Sequence, residues 1–84
     1  MVFLVYILYS KKADKYYIGS TSDINKRLIK HNLGGTKSTR PGRPWIVVYT
    51  EIYNNKTDAL IRERKIKKMK SRKYIENLLI EPSR

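Results

Sequence analysis

Eighty-four residues carry 19 lysines and arginines against 7 acidic residues, a formal charge of +12, and no cysteine. A chain this short buries only about 60% of its unfolded surface, which reads as one domain over residues 1–84 with no room for a separately folded substrate-binding unit. So strong a charge calls for a polyanion, most naturally nucleic acid, and the missing cysteines exclude a disulfide framework and a thiolate metal site.

Residues 1–9, MVFLVYILY, are too short an apolar run to cross a bilayer and lack the basic start and cleavage site of a signal peptide. They read as a buried strand, with Leu4, Tyr6 and Leu8 on one face and Phe3, Val5, Ile7 and Tyr9 on the other. Ser10 to Lys15 is a polar turn and Tyr16 to Ser20 a second strand, together an antiparallel hairpin. Thr21-Ser22-Asp23 offers N-cap oxygens for a helix running to about Asn32, ended by Gly34-Gly35. Ile24 and Leu28 form its apolar stripe, flanked by Arg27 and His31, while Lys26 and Lys30 take the wet side.

Residues 33–44, LGGTKSTRPGRP, hold three glycines, two prolines and three cations, a loop long enough to suggest a function. Trp45 to Tyr53 is a third strand, and Asn54-Asn55 caps a helix from about Lys56 to Lys70. Ser71 starts another, with Tyr74, Ile75, Leu78 and Leu79 as its apolar face and Pro82 as its stop. The order ββαβαα predicts an α/β (α+β) sandwich: a small three-stranded antiparallel sheet flanked by helices. No helix joins a basic face to a broad apolar one, so no membrane partner is expected. The lack of disulfides fits a cytoplasmic protein, and the thin core a monomer or weak homodimer.

The candidate chemistry centres on Glu63, which shares an arc of its helix with Ala59 and Ile66. A carboxylate on that inward face needs a cation or a hydrogen-bond partner. The alternative is a simple i,i+4 pair with Lys67 on a wet face. Tyr6 and Tyr17 lie on neighbouring strands and can approach each other, although either can equally be a packing residue. A phenol ionises near pH 10, so it serves as a base only if Arg27, Arg40, Arg43 and a divalent ion lower that value. Arg27 suits a phosphate through its fork of donors, or pairs with Asp23. His31, the lone histidine, can relay a proton or bond a phosphate, or be structural.

These residues resemble the GIY-YIG nuclease family over nearly the whole chain. Leu4-Val5-Tyr6 stands at the first motif and Tyr17-Ile18-Gly19 matches the second, with ten residues between. Asp23-Ile24-Asn25-Lys26-Arg27-Leu28 is similar to the family's arginine helix. Gly42-Arg43-Pro44-Trp45 through Tyr49, then Ala59 to Lys68, resemble its small stand-alone members, relatives of the N-terminal catalytic module of the nucleotide-excision-repair endonuclease. The resemblance implies a metal-dependent endonuclease acting on nucleic acid, DNA rather than RNA. One Mg²⁺ or Mn²⁺ would sit on Glu63, with Tyr6 as base, Tyr17 supporting it, Arg27 neutralising phosphorane charge and His31 as a further catalytic group. Gly19 would let backbone approach the site.

Three positions depart from the family pattern: Leu4 replaces a glycine, Ser20 stands where many relatives have lysine, and the asparagine that often follows the metal glutamate has only Asn77 as its match. Lys26 or Lys37 would replace the missing lysine. Phosphate contacts are expected from Lys26, Lys37, Arg40, Arg43, Arg62, Lys67 and Lys70. The main alternative is a binding module that keeps the fold without cutting, holding nucleic acid through the same cations and its strand aromatics. A basic scaffold within a ribonucleoprotein is the third reading.

Overall fold

The computed structural model describes residues 2–80. Strands β1 (Phe3–Ser10) and β2 (Lys15–Thr21) form a hairpin, followed by helix α1 (Ile24–Asn32) and a loop containing one 3₁₀ turn (Arg40–Gly42). Strand β3 (Ile46–Tyr53) and helices α2 (Lys56–Met69) and α3 (Arg72–Ile80) complete the expected order. Pro82, the expected stop of α3, lies outside the described residues. The sheet is antiparallel in the order β2-β1-β3, so β1 is central and β2 is an edge.

That central place explains why Val5, Tyr6, Ile7 and Leu8 are all buried: each face of β1 is covered by a separate layer. Val5 and Ile7 pack with Ile18, Ala59, Ile66 and Ile75 under α2 and α3. Tyr6 and Leu8 pack with Trp45, Tyr17, Ile24 and Leu28 under α1 and the long loop. The period-2 alternation of a strand thus sorts β1 as its sequence predicts. Between β1 and β3 the register slips at Ile7/Leu8, where Ile7 pairs with Tyr49 but Leu8 with Val47.

Helix α1 starts on the Asp23 side chain, which accepts the Lys26 amide at 3.1 Å. It ends where Gly34, at φ 81°, turns left-handed so that its amide bonds the His31 carbonyl and that of Gly35 the Lys30 carbonyl. That paired closure favours glycine because a Cβ is strained there. Helix α2 starts on Asn55, whose side chain accepts the Asp58 amide at 2.8 Å. It ends at Met69 because Lys70 adopts the left-handed conformation, φ 47°.

Ser10 corrects the expected turn. It is the last residue of β1 and fully buried, and the turn is confined to residues 11–14. Its hydroxyl accepts the Ala13 amide at 3.0 Å and donates to the Gly42 carbonyl at 2.6 Å, tying the long loop to the hairpin. Asn32 holds the same loop from α1: its amide group donates to the Trp45 carbonyl at 3.0 Å and accepts the Trp45 amide at 2.6 Å. Trp45 closes the third anchor, Nε1 donating to the Thr39 carbonyl at 2.7 Å.

Candidate active site

Strand register determines where Tyr6 can go. Its cross-strand partner is Gly19, and a Cβ built on that glycine would collide with the Tyr6 hydroxyl and come within 2.6 Å of Cζ. Gly19 therefore clears space for the Tyr6 ring over β2. Leu8 pairs with Tyr17, two residues along each strand, so both tyrosines lie on the α1 side of the sheet.

His31, on the last turn of α1, is 1% exposed. Its Nε2 lies 3.2 Å from the Tyr6 hydroxyl and its Nδ1 2.8 Å from the Thr39 hydroxyl. The Tyr17 ring packs edge-on against the imidazole, centroids 5.0 Å apart, and against Trp45 at 6.4 Å. Burial holds the His31 pKa below its ordinary value, and the charges of Arg27 and Lys30 add to this. Arg27, one turn earlier, is half-buried and makes no ion pair among the described residues. The alternative pairing with Asp23 is not made; that carboxylate caps α1.

Burial pushes the Tyr6 hydroxyl up to about 12. Arg27 acts in the opposite direction, and Tyr17 and Glu63 reinforce the rise. Of the three arginines expected, with a divalent ion, to lower this value, Arg27 acts on the group, and desolvation outweighs it.

Glu63 approaches from the other side of the sheet, around the β2 edge. Its side chain is 15% exposed and accepts the Ser20 hydroxyl at 2.6 Å on Oε1 and the Lys67 ammonium at 2.7 Å on Oε2. The inward position and the i,i+4 pair, alternatives in the sequence, coexist. Lys67 Nζ also stands 6.0 Å from the Tyr17 ring centroid, linking the carboxylate to the tyrosines. Ser20, read as a departure for lacking a lysine, is what orients Glu63.

The remaining cations divide. Lys26 and Lys37 are exposed. Arg40 and Arg43 are exposed too, but each Nε is engaged, with the Gly34 and Arg40 carbonyls respectively, both at 2.9 Å. Both line a shallow groove of about 580 Å³ with Lys12, Asn32, Pro41 and Pro44. Lys67 and Lys70 line a second groove, of about 290 Å³, with Lys15 and Arg72.

Arg62, expected as a phosphate contact, is engaged within the fold. Its guanidinium forks onto Glu51, Nε to Oε1 at 2.9 Å and Nη2 to Oε2 at 3.1 Å, and Nη1 donates to the Tyr74 hydroxyl at 3.1 Å. Tyr49 and Tyr53 donate to the same carboxylate, so the group clamps α2 and α3 to β3. Asn77 is exposed on α3, and no hydrogen bond joins it to Glu63 among the described residues. Its expected supporting role finds no contact in this arrangement. Thr39 and Asn32 carried no motif signal, because each acts through a partner on another segment.

The GIY-YIG catalytic domain family matches residues 2–75. A UPF0213 protein of Staphylococcus saprophyticus is 41% identical over 73 residues, covering 86% of this chain and 88% of that protein. A UPF0213 protein of Staphylococcus epidermidis is 50% identical over 52 residues, 61% of this chain and 63% of that protein. The solution NMR structure of the UPF0213 protein BH0048 from Bacillus halodurans is similar with a TM-score of 0.59 and 36% identity, covering 94% of this chain and 83% of that one. With a nuclease-type fold, the motif tyrosines on one face and the family match across both helical layers, the chain belongs to the GIY-YIG family.

Proposed function

We propose that this chain is a divalent-metal-dependent endonuclease that hydrolyses phosphodiester bonds in DNA. The observation that supports it most is the half-buried Arg27 guanidinium, without an ion pair among the described residues, beside the Tyr6–His31 pair. A partly buried cation without an ion pair, next to a hydroxyl and an imidazole, suits an anionic centre undergoing attack.

In this reading Arg27 binds a phosphate oxygen and takes up the charge that grows as phosphorus becomes five-coordinate. Tyr6 accepts a proton from the attacking water. His31 and Tyr17 keep that hydroxyl in place, one by hydrogen bond and the other by packing on the imidazole. The residues present fit one hard cation: Glu63 offers carboxylate oxygens at the open β2 edge, and Lys67 already holds positive charge against Oε2. No cluster of three acidic or histidine ligands exists among the described residues, so Glu63 is the carboxylate that would hold such an ion. When bound, Mg²⁺ or Mn²⁺ would polarise the phosphate and stabilise the leaving oxygen. The exposed Lys26, Lys37, Arg40, Arg43 and Lys70 would hold the flanking backbone, with Lys67 nearer the site.

One observation favours a second reading, a binding module that cuts nothing. Glu63 is satisfied by Ser20 and Lys67 without a metal. Cleavage of supercoiled plasmid and of branched and single-stranded DNA, with Mg²⁺, Mn²⁺ or EDTA, separates the two. Metal-dependent nicking by the wild type that disappears in Glu63→Ala and Tyr6→Phe is expected. Tight, salt-dependent binding without nicking in every condition would establish the binding module instead.

A further inference from the structure

A buried chain of hydroxyls crosses the candidate site through His31, and the available acceptors decide its direction. Tyr6 Oη lies 3.2 Å from Nε2, Nδ1 lies 2.8 Å from Thr39 Oγ1, and Thr39 Oγ1 lies 3.3 Å from the Thr36 carbonyl oxygen. Tyr6, His31 and Thr39 are 2%, 1% and 0% exposed, so solvent is a poor substitute for any of these partners. Among the described residues, Tyr6 Oη has no hydrogen-bond partner besides His31.

A neutral imidazole carries one N–H, and its two tautomers run the chain in opposite senses. With the proton on Nε2, the imidazole donates to Tyr6 and Thr39 donates to Nδ1. The phenolic proton is then left without a protein acceptor, and a buried donor in that state keeps the full cost of its lost hydration. With the proton on Nδ1, Tyr6 donates to Nε2, Nδ1–H to Thr39, and Thr39 to the Thr36 carbonyl. Each of the three protons then has an acceptor, and the chain ends on a group that can only accept.

We propose that Thr39 is a positioning residue that holds His31 in its Nδ1-protonated tautomer, so that the Tyr6 hydroxyl points its proton at the imidazole and keeps its lone pairs free to accept. The three anchors on the long loop serve this placement, since Trp45 holds the Thr39 carbonyl and Ser10 and Asn32 hold the loop on either side. The consequence for chemistry rests on the nuclease reading. As Tyr6 Oη takes a proton from water, its own proton passes to Nε2, leaving hydroxide for the phosphorus and an imidazolium whose Nδ1–H remains on Thr39. In the opposite tautomer Nε2 already carries a proton and cannot receive another.

The test needs no substrate. His31 is the only histidine, so its ring nitrogens in ¹⁵N-histidine-labelled, metal-free protein are assigned without ambiguity. Long-range ¹H–¹⁵N correlation spectra above the imidazole titration should show the Nδ1-protonated form in the wild type and in Thr39→Ser. Thr39→Val, similar in shape but without the hydroxyl, should show the Nε2-protonated form or a mixture. An Nε2-protonated wild type, or a valine variant identical to the wild type, overturns the proposal, and the wild-type spectrum decides even if the variant fails to fold. In the cleavage assay Thr39→Val should lower kcat at least tenfold with KM little changed, and Thr39→Ser should restore it. A protein with the expected tautomer that cuts nothing refutes the nuclease reading alone. A changed tautomer with full kcat refutes the role given to Thr39.

Discussion

The Lys67 ammonium lies 2.7 Å from Glu63 Oε2 while the Ser20 hydroxyl holds Oε1 at 2.6 Å, so both oxygens of the carboxylate at the β2 edge are engaged. A divalent ion on Glu63 would compete with that ammonium. Lys67→Met should therefore reduce, several-fold, the Mn²⁺ concentration that gives half-maximal cleavage. Stability should change by less than about 1 kcal/mol, because Lys67 is half-exposed and such pairs contribute little. A metal titration that moves to higher concentration would show that Lys67 assists the ion.

Gly19→Ala tests the clearance above Tyr6. The new methyl group would meet the Tyr6 ring at Cζ, so overpacking should cost about 1–3 kcal/mol in urea unfolding and displace the hydroxyl from His31. Combining it with Tyr6→Leu should recover part of that loss, since the shorter side chain leaves the space. Cleavage should stay absent in the double variant. Additive costs in the cycle would mean that the two residues do not share that volume.

Two groups should make the protein sensitive to acid in separate windows. His31 has a folded pKa below the unfolded value of about 6.5. The unfolded chain then binds the proton first, and stability should decline as pH falls through about 6.5. For Glu51, burial pushes the pKa up, but the bonds from Arg62, Tyr49 and Tyr53 outweigh it and hold the carboxyl below its usual range. Its contribution is present above about pH 4.3 and lost as pH falls through the lower folded value. His31→Gln should remove the first decline and Glu51→Gln the second, read as urea midpoints from pH 8 to 3. A wild-type curve flat between pH 7 and 5 would contradict the His31 assignment.

Neutralising cations should separate binding from structure. Replacing Lys37, Arg40 and Arg43 with glutamine should flatten the salt dependence of DNA binding by up to about 0.9 per lost phosphate contact. Arg62→Gln should leave that slope unchanged and instead destabilise the fold by about 1.5–3 kcal/mol, because Glu51 is only 18% exposed and would lose its charged hydrogen bonds. A flattened slope in Arg62→Gln with normal stability would restore Arg62 to the interface.

Local pattern alone determined much of this protein. The alternation in β1, the Asp23 and Asn55 caps, the Gly34 closure and the apolar stripe of α1 depend on neighbours within a few residues, and all form as the sequence predicts. The shared face of Tyr6 and Tyr17 follows from the same periodicity once the hairpin register is formed. What the tertiary structure decided are the partners. Arg62 and Glu63 are adjacent on one helix, yet one turns to Glu51 on β3 and the other to Ser20 on β2. In a chain of charge +12 every cation resembles a free one until its carboxylate is found on another element. Thr39, Ser10 and Asn32 have no spacing that marks them, because each hydrogen bond closes across a loop or between elements. Helical and strand periods encode which face a side chain takes, whereas the group it meets there depends on how the layers pack.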